Sequence, residues 1–229
     1  MRFGVLQFPG SCDDRDAVAA CRRVGDADLV WHEERDLEGV DVVVVPGGFS
    51  YGDYLRAGAI ARFSPAMEAV AQHAGTGRPV LGICNGFQVL CESGLLPGAL
   101  LTNESLRFVC RQVVVAVENV ETPFTGACSP GERLSMPVKH ESGRYLAPSD
   151  QLDQLEARGG VVLRYAPGEN PNGSARDIAG VANERGNVMG LMPHPEHAVD
   201  LLTGSDDGLK ILSSLAASIV EPGLQAVSA

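Results

Sequence analysis

The chain reads as an α/β fold: an open, mostly parallel twisted sheet with helices on both faces, extended in its C-terminal half by an antiparallel β-rich section. Two observations predict this. Short apolar runs at 3–8, 28–31, 42–45 and 79–83 are separated by helix-length amphipathic segments, the rhythm of βαβ units. The run Val42-Val43-Val44-Val45 is apolar without alternation, as a strand must be when both faces of a parallel sheet are covered.

Taken in order, residues 3–8 form the first strand pattern and begin almost at Met1, with no signal-peptide apolar region ahead of it. Ser64-Pro65 reads as an N-cap followed by proline at the first helical position, and Gly75 closes the helix that ends near His73. After the strand at 79–83, a helix is expected over 86–93, with Gly94 as its stop. Beyond residue 105 the pattern turns β-rich, with strands at 111–117, 161–166, 178–183 and 188–192 read as antiparallel. The turn Glu184-Arg185-Gly186-Asn187 joins the last two. A final amphipathic helix is expected over 206–219, and a loose tail after Pro222.

Residues 1–229 are read as a single domain, since a chain of this length buries one substantial core and shows no repeat or linker. Hydrophobic residues at 45% and charged residues at 21% are ordinary for a soluble globular protein. The formal charge is -11, and the only lysines are Lys139 and Lys210, so no basic patch exists to neutralise phosphates and nucleic acid is not an expected partner. No stretch approaches the ~20 apolar residues of a membrane span, so a cytoplasmic location is expected. Six cysteines are scattered without a Cys-x-x-Cys pair or zinc-finger histidines, which argues against a metal and leaves most of them as small core residues.

One cysteine stands apart. Residues 79–90 run from a buried strand through Gly82-Ile83-Cys84-Asn85-Gly86 into a helix, a nucleophile elbow with Cys in place of Ser. The sharp turn strains the nucleophile's backbone, so its flanks must be small, and Gly82 and Gly86 meet that need. The turn also sets Cys84 at a helix N-terminus, where unpaired N–H groups favour thiolate.

A thiolate needs a proton carrier, and the chain has five histidines. His194-Pro195-Glu196 follows a strand, and an extended segment would point His194 and Glu196 the same way, letting the carboxylate orient the imidazole. Alternation is expected to turn His197 away. His140, in Lys139-His140-Glu141-Ser142-Gly143, reads as a loop residue, with a contact at the rim of the site or with a partner as the alternative. The tetrahedral oxyanion of acyl transfer needs two donors. The Asn85 N–H is one candidate, and the loop Pro46-Gly47-Gly48-Phe49-Ser50 supplies the other, at Gly48 beside Gly47.

With Pro46-Gly47-Gly48, residues 82–88 and His194-Pro195-Glu196 in this order, nearly the whole chain resembles the class I (triad) glutamine amidotransferases. Longer strings at 47–53, 170–174, 183–188 and 192–196 are similar to the branch of that family that serves purine biosynthesis. The resemblance implies that L-glutamine is hydrolysed at Cys84 with His194 and Glu196 handling protons, and that Gln88 helps hold glutamine. It implies that ammonia passes to a separate synthetase subunit, with a small accessory subunit, that carries ATP and Mg and converts phosphoribosylformylglycinamide to its amidine. It also implies that 51–56 and 170–174 face that partner. Phe87 stands where the branch often has Cys, and His197 where it often has Arg. No Walker-type or Gly-x-Gly-x-x-Gly string occurs, in keeping with ATP binding elsewhere. The rival readings are a cysteine peptidase or deglycase-like hydrolase, an inactive regulatory module, and an amidotransferase serving another acceptor. Only the longer strings disfavour the last.

Overall fold

The computed structural model describes residues 1–220, so the tail after Pro222 lies outside the described residues. In chain order the elements are β1 (Arg2–Gln7), α1 (Asp14–Cys21), β2 (Asp26–Trp31), β3 (Val42–Val45), α2 (Pro65–Gly75), β4 (Val80–Ile83), α3 (Asn85–Glu92), β5 (Ala99–Leu101), β6 (Val109–Val117) and β7 (Arg133–His140). They continue as β8 (Arg144–Leu146), α4 (Ser149–Ala157), β9 (Val161–Tyr165), β10 (Ile178–Ala182), β11 (Val188–Leu191) and α5 (Gly208–Val220). Nine strands form one sheet in the order β2-β1-β3-β4-β11-β10-β9-β6-β7, and β5 pairs with β8 separately.

From β2 to β11 every pairing is parallel, and from β11 to β7 every pairing is antiparallel. The fold class is therefore as the sequence predicts, with one correction at the seam. The strand expected at 188–192 within the antiparallel section is β11, which is antiparallel only to β10 and runs parallel to β4. That pairing brings the segment following β11 beside the elbow that follows β4. The four valines of β3 are all fully buried, which is why their run shows no alternation.

The sheet order reverses between β1 and β3: from β1 the chain goes outward to β2, then returns to β3 on the other side. In open α/β sheets the crevice at such a reversal, outside the carboxyl ends of the strands, is where ligands bind. The segments leaving β1, β3, β4 and β11 all emerge there. The far edge comes back to it as well, because the His194 N–H donates to the Pro137 carbonyl of β7 at 2.9 Å.

The elbow is tight enough to forbid side chains beside it. A Cβ on Gly86 would sit 1.9 Å from the Val45 carbonyl oxygen, and one on Gly82 would sit 2.8 Å from the Gly86 oxygen and 2.5 Å from Leu90 Cδ1. Backbone cannot move aside in a fully buried strand. Gly86→Ala is therefore expected to destabilise the fold by about 3 kcal/mol, at the upper end of overpacking costs, read as a fall in the urea midpoint. An unchanged midpoint would mean that β3 and α3 slide apart freely.

Candidate active site

Cys84 occupies the turn between β4 and α3 with φ +49° and ψ -103°, the strained conformation expected of an elbow. Its N–H donates to the Leu191 carbonyl at 2.8 Å, locking the elbow to the end of β11. The side chain is buried and sits 3.8 Å from the Lys139 carbonyl. The long contact to that carbonyl leaves the thiol without a strong backbone partner.

His194 is fully buried, and its Nδ1 lies 2.6 Å from Glu196 Oε1. The other ring nitrogen, Nε2, has no hydrogen-bond partner. Burial works against a charged imidazole, but the Glu196 carboxylate and then the Cys84 side chain outweigh it, raising the His194 pKa well above the ordinary value. The site thus favours imidazolium beside the sulfur, with Nδ1 tied to the carboxylate.

The route to this contact differs from the extended segment expected. Pro195–His197 is a 3-10 turn, and only His194 is extended, at φ -105° and ψ 92°. In so tight a turn residues three apart eclipse one another, so His197 does not alternate away. Its ring centroid lies 5.3 Å from that of His194, and its Nε2 is 3.5 Å from Glu196 Oε1.

The Gly47–Gly48 peptide is fixed by the opposite loop. The Gly47 carbonyl accepts from the N–H groups of Cys12 at 3.4 Å and Asp13 at 3.3 Å. In a trans peptide the following N–H points the other way, so the Gly48 N–H is directed away from that loop. Gly48 and Cys84 line one cavity of about 420 Å³, together with Asp53, Arg56, Gln88 and Lys139. Gly48 has φ +138°, and a Cβ there would sit 2.5 Å from the Cys12 nitrogen, so the position demands glycine. Asn85 begins α3, where its N–H has no intrahelical partner.

The Asn85 side chain ties the cavity together. Its Oδ1 accepts from the Ser50 N–H at 3.1 Å, and its Nδ2 donates to Asp53 at 3.1 Å and Gln88 at 2.9 Å. Gln88 in turn donates to the Ser142 carbonyl. Burial pushes the Asp53 carboxyl up to about 6 against the opposing Asn85 hydrogen bond.

Two residues escape a reading of the sequence and one is misplaced by it. Asp13, in the segment leaving β1, is buried, accepts from Lys139 Nζ at 2.5 Å and lies 3.7 Å from His194 Nδ1. Lys139, on β7, lines the cavity. The signal available for Asp13 is its place just after the first strand, at the expected crevice. His140 closes a strand and is not a loop residue, but it does line the cavity, in keeping with the alternative reading; it is buried against Asn103, and burial, reinforced by His194, lowers its pKa to about 4. The side-chain atoms of Asp13, His194, Glu196 and His197 lie within 4.8 Å of one another, a spacing metals use. Here the Lys139 ammonium already neutralises Asp13, and Nδ1 of His194 is committed to Glu196.

The segment 170–174, expected to face a partner, spends its polar groups internally. Asn170 Oδ1 accepts from the N–H groups of Asn172, Gly173 and Ser174, and the buried Asn172 side chain donates to the Tyr165 hydroxyl. Phe87, the departure near Cys84, is fully buried and stacks on Tyr145 at 5.8 Å.

Residues 1–207 match the CobB/CobQ-like glutamine amidotransferase domain family. The chain is 60% identical over 218 residues to the phosphoribosylformylglycinamidine synthase subunit PurQ of Rubrobacter xylanophilus, covering 95% of this chain and 98% of that one. It is 59% identical to the subunit of the same name from Mycolicibacterium paratuberculosis, covering 93% and 96%. Among solved structures, it is similar to a chain of the PurLQS structure from Thermotoga maritima, with TM-score 0.88, 45% identity and coverage of 95% and 98%. Another glutamine amidotransferase from Thermotoga maritima shares the fold at TM-score 0.57 and 17% identity, with coverage of 95% and 91%.

Proposed function

The chain belongs to the CobB/CobQ-like glutamine amidotransferase family, and from that premise we propose that it is the glutaminase subunit of phosphoribosylformylglycinamidine synthase in purine biosynthesis. The observation that carries the chemistry is the meeting of two separate segments: a strained Cys84 on its elbow and a buried His194 whose proton affinity it raises, with Glu196 2.6 Å behind the ring. The near-complete coverage of the PurQ subunits at about 60% identity carries the acceptor.

The Cys84 thiolate attacks the side-chain amide carbon of L-glutamine, and the Gly48 and Asn85 N–H groups receive the oxyanion. His194 gives its proton to the leaving nitrogen, releasing ammonia and leaving a γ-glutamyl thioester. Neutral His194 then takes a proton from water as it attacks the thioester, and glutamate departs with the thiolate restored. Glu196 holds the Nδ1 proton throughout. Gln88 lines the cavity, held in place by the Asn85 side chain.

The ammonia is consumed on a synthetase subunit outside this chain, with a small accessory subunit in the complex. ATP and Mg are assigned to that partner; no residue of this chain is assigned to a cofactor. No helix among the described residues is long and apolar enough to cross a membrane, and the proposed location is the cytoplasm. Purified chain combined with its synthetase partners should convert phosphoribosylformylglycinamide to the amidine with stoichiometric glutamate release. Glutamate release without amidine would overturn the acceptor, and no release would overturn the amidotransferase reading.

The loop 51–56 is the proposed approach for the partner. Tyr51 is an anchor, its hydroxyl 2.9 Å from both His32 Nδ1 and Ser64 Oγ, whereas Tyr54 is 74% exposed and Leu55, which lines the cavity, is 90% exposed. Arg56 makes two 2.6 Å bonds to Glu92, an exposed pair of small intrinsic worth. Arg56→Glu reverses the charge at that rim and is expected to weaken complex assembly about tenfold, measured by titration of the partner. Unaltered assembly and coupled turnover would place the interface elsewhere.

A further inference from the structure

Asp13 stands at the N-cap of α1, yet its side chain caps nothing. An aspartate at that position normally accepts from the first turn's N–H groups. This carboxylate is instead turned inward and buried, where it meets Lys139 Nζ at 2.5 Å, His197 Nε2 at 3.4 Å and His194 Nδ1 at 3.7 Å. Burying a charge against a lysine is a poor way to stabilise a fold, because desolvation consumes the Coulomb gain. A local cap has been given up for contacts at the site.

Three more observations converge. A Cβ on Gly47 would lie 2.4 Å from Asp13 Oδ2 and 2.8 Å from His194 Cε1, so only glycine lets the carboxylate and the ring approach. The Asp13 backbone N–H is one of the two donors that hold the Gly47 carbonyl and thereby orient the Gly48 N–H. Lys139, the carboxylate's partner, lines the cavity that contains Cys84.

We propose that Asp13 is a positioning residue of the glutaminase reaction. Its carboxylate braces the outer edge of His194 and fixes Lys139, while its amide sets the oxyanion peptide, so one residue couples the proton carrier to the oxyanion donors. The inference rests on the amidotransferase reading above. It also explains why two carboxylates, Asp13 and Glu196, flank two adjacent imidazoles, with a single ammonium, that of Lys139, paired to the first of them. The charged and titratable groups facing His194 are Cys84 from the elbow, Glu196 and His197 from the turn after β11, Asp13 before α1, and Lys139 and His140 from β7. Asp13→Asn removes one negative charge from the imidazolium side. Lys139→Met removes the ammonium that pairs with Asp13 and acts on the sulfur from the β7 side.

The test compares wild type, Asp13→Asn and Lys139→Met, each assembled with the synthetase partners. Glutamine hydrolysis is measured against pH, and alkylation of Cys84 by iodoacetamide through the cavity is followed by peptide mass spectrometry, which separates it from the exposed Cys12 and Cys110. Asp13→Asn should lower kcat about 10- to 100-fold, the cost of a misplaced group, with KM changed by less than about threefold. Its alkaline limb should move to lower pH, because the imidazolium loses a favourable neighbour, while Lys139→Met should move the acid limb to higher pH. Turnover driven by free ammonia, which bypasses this chain's chemistry, reports assembly. Wild-type kcat and a wild-type alkylation profile in Asp13→Asn would overturn the inference. If that variant fails to assemble, the Lys139→Met profile decides: an unmoved acid limb overturns the inference and a raised one supports it. A wild-type complex that hydrolyses no glutamine would sink the amidotransferase reading itself, a result distinct from wild-type activity matched by the variant.

Discussion

Glutamine-dependent turnover is expected to vanish when Cys84 is replaced by alanine, falling by at least about 10⁴-fold, while turnover on free ammonia in the assembled complex is retained. The first half follows from chemistry, since no thioester forms without the sulfur and no other thiol lies among the cavity-lining residues. The second half follows from packing. Cys84 Sγ holds the backbone through nothing stronger than a 3.8 Å contact to the Lys139 carbonyl, its other partner being the His194 ring, and the positive φ costs alanine no more than it costs cysteine. The elbow therefore survives the loss of the sulfur. Glutamate release and amidine formation, measured with glutamine and then with ammonium, separate the two activities. Loss of both would make Cys84 a structural residue, and survival of glutamate release would place the nucleophile elsewhere.

The parts of this site that are readable in the sequence are those made by local constraints. An elbow needs glycines at two fixed offsets from the nucleophile, because Gly86 meets the Val45 carbonyl and Gly82 meets the Gly86 backbone whatever the rest of the chain does. His194 and Glu196 are two residues apart, so their contact depends on one turn. Even there local pattern favours extended backbone, and the 3-10 turn brings His197 in as well. The same limit hides α1: Asp13-Asp14-Arg15-Asp16 is too polar to announce a helix, and its amphipathic face is only two turns long.

What is not readable depends on closure over long distances. Lys139 reaches Asp13 across 126 positions because β7, last in the sheet order, comes back against the turn after β11. No periodicity encodes that return. His140 reads as a loop residue for the same reason, since β7 alternates buried and half-exposed positions and carries Pro137 at its middle, a residue that usually disfavours strand interiors. Pro137 is tolerated because β7 is an edge strand and its carbonyl is used by the His194 N–H.

Glu196→Gln is the second large effect expected, a loss of about 10²- to 10⁴-fold in kcat with KM little changed. An amide can still present an oxygen to Nδ1, so the tautomer of His194 is kept and the ring stays in place. What disappears is the charge. Glu196 Oε2 is buried without a partner, and Oε1 is 2.6 Å from the ring, so the carboxylate's field acts on the imidazolium with little screening. Burial opposes the charged ring and Glu196 is the largest influence restoring it, so His194 in the variant should hold its proton less tightly. The sign follows: the limb of the pH profile on which imidazolium is lost, and with it the acid that protonates departing ammonia, moves to lower pH. Asp13 lies at 3.7 Å and is already paired with Lys139, so Asp13→Asn should move the same limb in the same direction but less far. A Glu196→Gln enzyme with wild-type kcat and an unmoved alkaline limb would show that the carboxylate merely fills space. Equal displacements in the two variants would show that the 2.6 Å contact carries no more of the field than its longer neighbour, and that the proton on His194 is governed by the net charge of the cluster and not by one partner.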